Sequence, residues 1–129
     1  MNYKNQISDR VKILLIDEDE SIFYLIRRVL QRENYRLYTS TSGRSGMEMS
    51  TSICPDLILM DIKMPNLDGL EATKIIRELS ATVPIIAQSA FAYEHDVKAA
   101  MEAGCNDFIA KPIAQSKLKE VIDKWLPMK

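Results

Sequence analysis

The sequence predicts an α/β protein built on a five-stranded parallel, doubly wound sheet with five helices. Five short strand-like runs alternate with five segments of helical periodicity, the pattern of repeated βα units. Two of the runs, Val11–Ile16 and Leu57–Met60, are almost wholly apolar, as strands covered on both faces must be. Both run straight into acidic residues, and ligands of open α/β sheets sit beyond such carboxyl ends.

The first strand is placed at Lys12–Ile16 and ends in Asp17-Glu18-Asp19-Glu20. A helix follows from Glu20 to about Arg32, with Ile22, Ile26, Val29 and Leu30 at helical spacing and Arg27, Arg28 and Arg32 turned outward. The second strand is Arg36–Thr39. The second helix, Gly43–Ile53, has the weakest pattern: Gly46 and its Ser and Thr residues disfavour helix, and only Met47, Met49 and Ile53 offer apolar contact. The third strand, Leu57–Met60, enters a Pro/Asn/Asp/Gly-rich loop in which Asp68-Gly69 reads as a turn and helix-start device. The helix beginning near Gly69 is expected to bury Ala72, Ile75, Ile76 and Leu79. After the fourth strand, Ile85–Gln88, a helix from Tyr93 or Glu94 carries Val97, Ala100 and Met101 on one face and stops at Gly104, a left-handed cap. The fifth strand is Asp107–Ala110. The last helix follows Pro112, turns Leu118, Val121, Ile122 and Trp125 inward, and ends at Pro127.

At 129 residues the chain has the length of one domain, placed at 11–126 between a polar arm or linker remnant at 1–10 and a tail at 127–129. Its 47% hydrophobic and 27% charged residues exclude a disordered or membrane-embedded chain. Lys and Arg number 17 against 18 Asp and Glu, with no basic block, so direct nucleic-acid binding is not expected. No segment approaches the ~20 apolar residues of a membrane span. Cys54 and Cys105 show no metal-ligand spacing and read as packed, reduced thiols. His95, the single histidine, reads as a surface residue, while Phe91 and Tyr93 fit partner contacts or core-edge packing equally.

If the first and third strands are neighbours, Asp61 meets at least two of the acids after the first strand. Like charges so close need a counter-ion, and oxygen ligands from one or two carboxylates suit magnesium. The fourth and fifth strands end in Ser89 and Lys111, a hydroxyl and a cation. Together these groups form the environment a phosphoryl group requires, because an aspartate oxygen accepts phosphorus only where the spreading charge is neutralised. Lys111 has no dedicated carboxylate partner that the sequence reveals.

With Asp17-Glu18, Met60-Asp61-Ile62-Lys63-Met64-Pro65, Asp68-Gly69, Pro84–Ala90 and Ala103-Gly104 followed by Lys111-Pro112, the chain from Val11 to Trp125 resembles the receiver domain of two-component response regulators. Met-Asp-Ile-Lys-Met-Pro and Ala-Gln-Ser-Ala-Phe-Ala look most like receivers of hybrid sensor histidine kinases. The resemblance implies the flavodoxin-like topology and a phosphorelay function. Asp61 would take a phosphoryl group from a phosphohistidine on a histidine kinase or histidine phosphotransfer domain. Mg2+, with Mn2+ able to substitute, would be held by Asp17, Glu18, Asp61 and the backbone carbonyl of Lys63. Ser89 matches the switch hydroxyl, Phe108 the switch aromatic, and Lys111 the phosphoryl-contacting lysine, with Lys111-Pro112 cis.

The same resemblance implies a protein that catalyses only its own phosphorylation and dephosphorylation, with no output domain in this chain. It would act in the cytoplasm, or as the cytosolic part of a membrane-bound hybrid kinase, and could dimerise through the face between the fourth and fifth helices. Three residues depart from the commonest pattern: Glu18 stands for Asp, Ser89 for Thr and Phe108 for Tyr. Asp19 is an extra acid near the ion. Two other readings cover fewer residues, a haloacid-dehalogenase-like phosphatase with Asp17 as nucleophile and a receiver-like docking module that works without phosphorylation.

Overall fold

The computed structural model describes residues 11–31, 35–63 and 69–126. Its elements are β1 (Lys12–Ile16), α1 (Ser21–Leu30), β2 (Arg36–Ser40), α2 (Gly43–Ile53), β3 (Leu57–Asp61), α3 (Gly69–Leu79), β4 (Ile85–Ser89), α4 (Glu94–Ala103), β5 (Asp107–Ala110) and α5 (Gln115–Trp125). The strands form one parallel sheet in the order β2-β1-β3-β4-β5. The expected doubly wound architecture is therefore present. The arm at 1–10, Arg32, the Met64–Asp68 loop and the tail from Pro127 lie outside the described residues.

Strand parity sorts the core into two layers. Ile13, Leu15, Leu57, Leu59, Ile86 and Ile109 face α1 and α5. Leu14, Ile16, Ile58, Met60, Ile85 and Ala87 face α2, α3 and α4. Both faces are covered, which explains why β3 and β4 are buried along their whole length.

Helix ends follow local chemistry. The Asp19 carboxylate accepts the Ser21 backbone N–H at 2.9 Å and its hydroxyl at 2.6 Å, so the extra acid starts α1. The Ser21 hydroxyl, more than any other group, holds the Asp19 carboxyl below its ordinary pKa. Ser42 caps α2 by accepting the Ser45 N–H at 3.1 Å. Gly104 closes α4 with φ 118°, as expected of a left-handed cap.

The weak pattern of α2 has a packing explanation. A Cβ on Gly46 would stand 2.4 Å from Ile16 Cδ1, so the residue that lowers helix propensity is the one that lets α2 lie on the sheet.

Four burial expectations are corrected. In α3 the buried residues are Gly69, Ala72, Thr73 and Ile76, whereas Ile75 and Leu79 are exposed, because the helix meets the sheet along a narrower stripe than its apolar residues describe. In α4, Met101 is exposed and Ala100 and Ala103 face inward. Cys54 is an exposed left-handed C-cap of α2, and of the two free thiols only Cys105 is buried. Burial pushes the Cys105 thiol up to about 11.

Candidate functional site: the carboxyl ends of β1, β3, β4 and β5

The strand order reverses direction between β1 and β3, so a crevice opens at their carboxyl ends. β2, β3 and β4 each run one residue further than expected, which places Asp61 and Ser89 inside the ladder as the last residues of β3 and β4. Asp17 stays in register beyond β1 because its N–H donates to the Ser40 carbonyl at 2.9 Å. These backbone bonds give the functional side chains fixed origins.

Asp17 is fully buried. Its Oδ1 accepts the Asp19 N–H at 2.8 Å, and its Oδ2 accepts Lys111 Nζ at 2.7 Å and Gln88 Nε2 at 2.9 Å. Asp61 Oδ1 accepts the Lys63 N–H at 3.0 Å, and its Oδ2 lies 3.6 Å from Lys111 Nζ. A single ammonium thus lies between two buried carboxylates, which corrects the picture of a lysine without carboxylate partners.

Burial, opposed by the Lys63 N–H and reinforced by the Asp17 charge, raises the Asp61 carboxyl to about 6 despite the Lys111 ammonium.

Ser89 and Phe108 stand on the opposite parity. The Ser89 side chain is buried and its Oγ accepts the Phe91 N–H at 3.0 Å. Its carbonyl accepts the Lys111 N–H at 2.8 Å. The half-buried Phe108 packs on the α2–α4 face and pairs in register with Ala87. The Lys111-Pro112 bond is cis.

Glu18 is exposed beyond Asp17. Among the described residues no three His, Cys, Asp or Glu side chains cluster to hold a metal. What converges is two carboxylates, with excess negative charge over one lysine, a donor set of hard oxygens that suits a cation completed by backbone oxygen and water.

Several participants were not singled out from the sequence. Gln88 is fully buried, touches Asp17, and its Oε1 has no partner among the described residues. The available signal was an amide directly after the apolar run Ile85–Ala87, within the same predicted strand. Asp96, buried in the first turn of α4, lies 3.6 Å from Lys63 Nζ and 3.5 Å from His95 Nε2. A cavity of about 380 Å³ opens at the opposite end of the sheet, and its lining, including Cys54, Leu79 and Val83, carries no charge that could bind a phosphoryl group.

A model of the response regulator receiver domain matches residues 13–123. The chain belongs to this family. It is 28% identical over 118 residues to the sporulation initiation phosphotransferase F of Bacillus subtilis, covering 92% of this chain and 95% of that protein. It is 32% identical over 116 residues to the polar-differentiation response regulator DivK of Brucella ovis, covering 88% and 94%. Among solved structures, a putative response regulator from Chloroflexus aurantiacus superposes with a TM-score of 0.86 at 27% identity, covering 92% of this chain and 98% of that one. The fold is also that of the Vibrio cholerae chemotaxis protein CheY4, with a TM-score of 0.85 at 24% identity over 91% of this chain and 99% of that one. The receiver fold and its place in two-component signalling are thus established for this chain. No helix among the described residues is long and apolar enough to cross a membrane.

Proposed function

We propose that Asp61 is the phosphoacceptor of this receiver domain and that Asp17, Asp61 and the Lys63 carbonyl hold its magnesium ion, with Glu18 acting through water from its exposed position. The observation that carries this is Lys111 Nζ, 2.7 Å from Asp17 and 3.6 Å from Asp61 at the mouth of the β1/β3 crevice. One carboxylate oxygen of Asp61 forms a bond to phosphorus as the N–P bond of a partner phosphohistidine breaks, and the electron pair stays on the imidazole nitrogen. When bound, magnesium supplies positive charge against the phosphoryl oxygens. Lys111 moves its ammonium from the carboxylates to the new phosphoryl group, and the Lys63 N–H keeps Asp61 oriented.

Ser89 is the coupling hydroxyl. It exchanges its hydrogen bond with the Phe91 N–H for one to a phosphoryl oxygen, and Phe108 turns into the space this frees. The donor is a histidine kinase or histidine phosphotransfer domain in the cytoplasm, a setting consistent with two free thiols. Exposed Phe91, Tyr93 and Met101 at α4 offer apolar area for a partner or a second copy. Asp17 is unsuited to be the nucleophile of a dehalogenase-like reaction, since it is fully buried and three donors occupy its oxygens.

The test is incubation with acetyl phosphate and Mg2+, followed by reductive trapping and mass spectrometry. One phosphoryl group at Asp61 is expected. Labelling that persists in Asp61→Asn, or that proceeds equally in chelator, would refute the assignment.

A further inference from the structure

Gln88 is buried on the same face of the sheet as Asp17, Asp61 and Lys111, and in register it lies beside Asp61. A polar side chain costs stability in such a place unless it is paired, and only half of this amide is paired. Its Nε2 donates to Asp17 Oδ2 at 2.9 Å, the same oxygen that accepts Lys111 Nζ at 2.7 Å. Two donors of different character therefore hold one carboxylate oxygen. The ammonium sits on a flexible stem, 17% exposed, and has a second carboxylate 3.6 Å away. The amide is fixed in the middle of the sheet and has no other acceptor among the described residues.

We propose that Gln88 is a positioning residue: it keeps the Asp17 carboxylate in its metal-binding orientation when Lys111 swings away to the phosphoryl group. This rests on the reading of Asp17 as a magnesium ligand and of Lys111 as the phosphoryl contact. Were Lys111 the sole anchor of Oδ2, its departure would release the ligand at the moment the ion is most needed. With Gln88 in place the motion of Lys111 and the geometry of Asp17 are separated. Groups that hold a ligating carboxylate from behind commonly matter about as much to metal affinity as this requires.

The backbone N–H of Asp19 reports the Asp17 orientation directly, since it donates to Oδ1 at 2.8 Å. Amide spectra of metal-free protein and calorimetric Mg2+ titrations are compared for wild type, Gln88→Met, Lys111→Met and the double variant. Methionine fills the same slot without a donor. In Lys111→Met the Asp19 amide and the Gln88 side-chain NH2 signals are expected to stay sharp, their shifts changing only by the loss of the nearby charge. In Gln88→Met the Mg2+ dissociation constant should rise about tenfold over wild type, and the double variant should lose about threefold more than that relative to Lys111→Met, where no ammonium is left to share the Asp17 oxygen.

Mg2+ affinity unchanged by Gln88→Met would overturn the proposal while leaving the metal site intact. So would an Asp19 amide that broadens on loss of Lys111 alone, a measurement that decides the matter even if Gln88→Met does not fold. Absence of Mg2+ binding by the wild-type protein would instead remove the metal reading, and the role of Gln88 with it.

Discussion

Replacing Asp61 by Asn fixes that side chain in its neutral form, and the structure predicts how this changes stability with pH. Burial and the neighbouring Asp17 charge lift the Asp61 carboxyl from an ordinary 3.8 to about 6. The fold thus favours protonated Asp61 more than the unfolded chain does. That contribution is fully present below pH 3.8 and is lost as pH rises through 6. A shift of about two pH units corresponds to roughly 3 kcal/mol, and solvent screening at the mouth of the crevice reduces this to about 1–2 kcal/mol. For a domain of this size the difference is about 3–8 °C in Tm. Thermal unfolding in chelator is followed by circular dichroism from pH 4 to 8. Asp61→Asn should match wild type near pH 4, gain on it through pH 5–6, and stay ahead by that margin above pH 7. Mg2+ should narrow the gap, because the ion stabilises the form that keeps the carboxylate. A gap independent of pH, or a wild type more stable at pH 8, would refute the placement of Asp61 in a charge-strained pocket.

Lys111→Ala leaves Asp17 and Asp61 buried without their shared cation, so metal-free stability should fall by about 2 kcal/mol or more and recover in part with Mg2+. Denaturant titrations with and without the ion check this, and unchanged stability would mean that the ammonium neutralises neither carboxylate. Gly69→Ala puts a Cβ 2.2 Å from the Asp61 carbonyl oxygen and 2.5 Å from Ile62 Cα, both backbone atoms that cannot yield cheaply. It should cost about 1–3 kcal/mol and slow phosphorylation by acetyl phosphate, and a variant with wild-type values in both assays would show that α3 can back away from β3.

The elements were legible because their periodicities differ, and the strand ends because apolar runs stop abruptly at Asp17, Asp61 and Lys111. Strand parity then carries those three side chains to one face. Less legible were contacts between residues that no periodicity relates. Arg77 carries no signal in the spacing of its helix, yet its guanidinium donates to the Gly104 carbonyl at 2.6 Å, the Val83 carbonyl at 2.7 Å and Asn106 Oδ1 at 2.9 Å, tying the end of α3 to the turns around β4 and β5. Helix propensity misjudged Gly46 because it prices the isolated helix, whereas close approach to Ile16 is a tertiary term. The exposure of Ile75 and Leu79 escaped for the same reason: hydrophobic spacing shows which residues could be buried, and the width of the sheet beneath decides which are.

The two faces of the sheet divide the work of a receiver. Asp17, Asp61, Gln88 and Lys111 share the parity of the α1/α5 layer, whereas Ser89 and Phe108 share that of the α2–α4 layer. Chemistry on one face therefore has to reach the other through the backbone or around the strand ends. The structure offers a short path, because the Lys111 N–H donates to the Ser89 carbonyl at 2.8 Å while the Lys111 ammonium touches both carboxylates. Lys111 and Ser89 are thus joined by one backbone hydrogen bond, with Phe91 next in line through its N–H on Ser89 Oγ. In the switch proposed above, a phosphoryl group would act on this linkage only through contacts it makes better in one arrangement than the other, and a hydroxyl at position 89 would supply such a contact where an alanine would not.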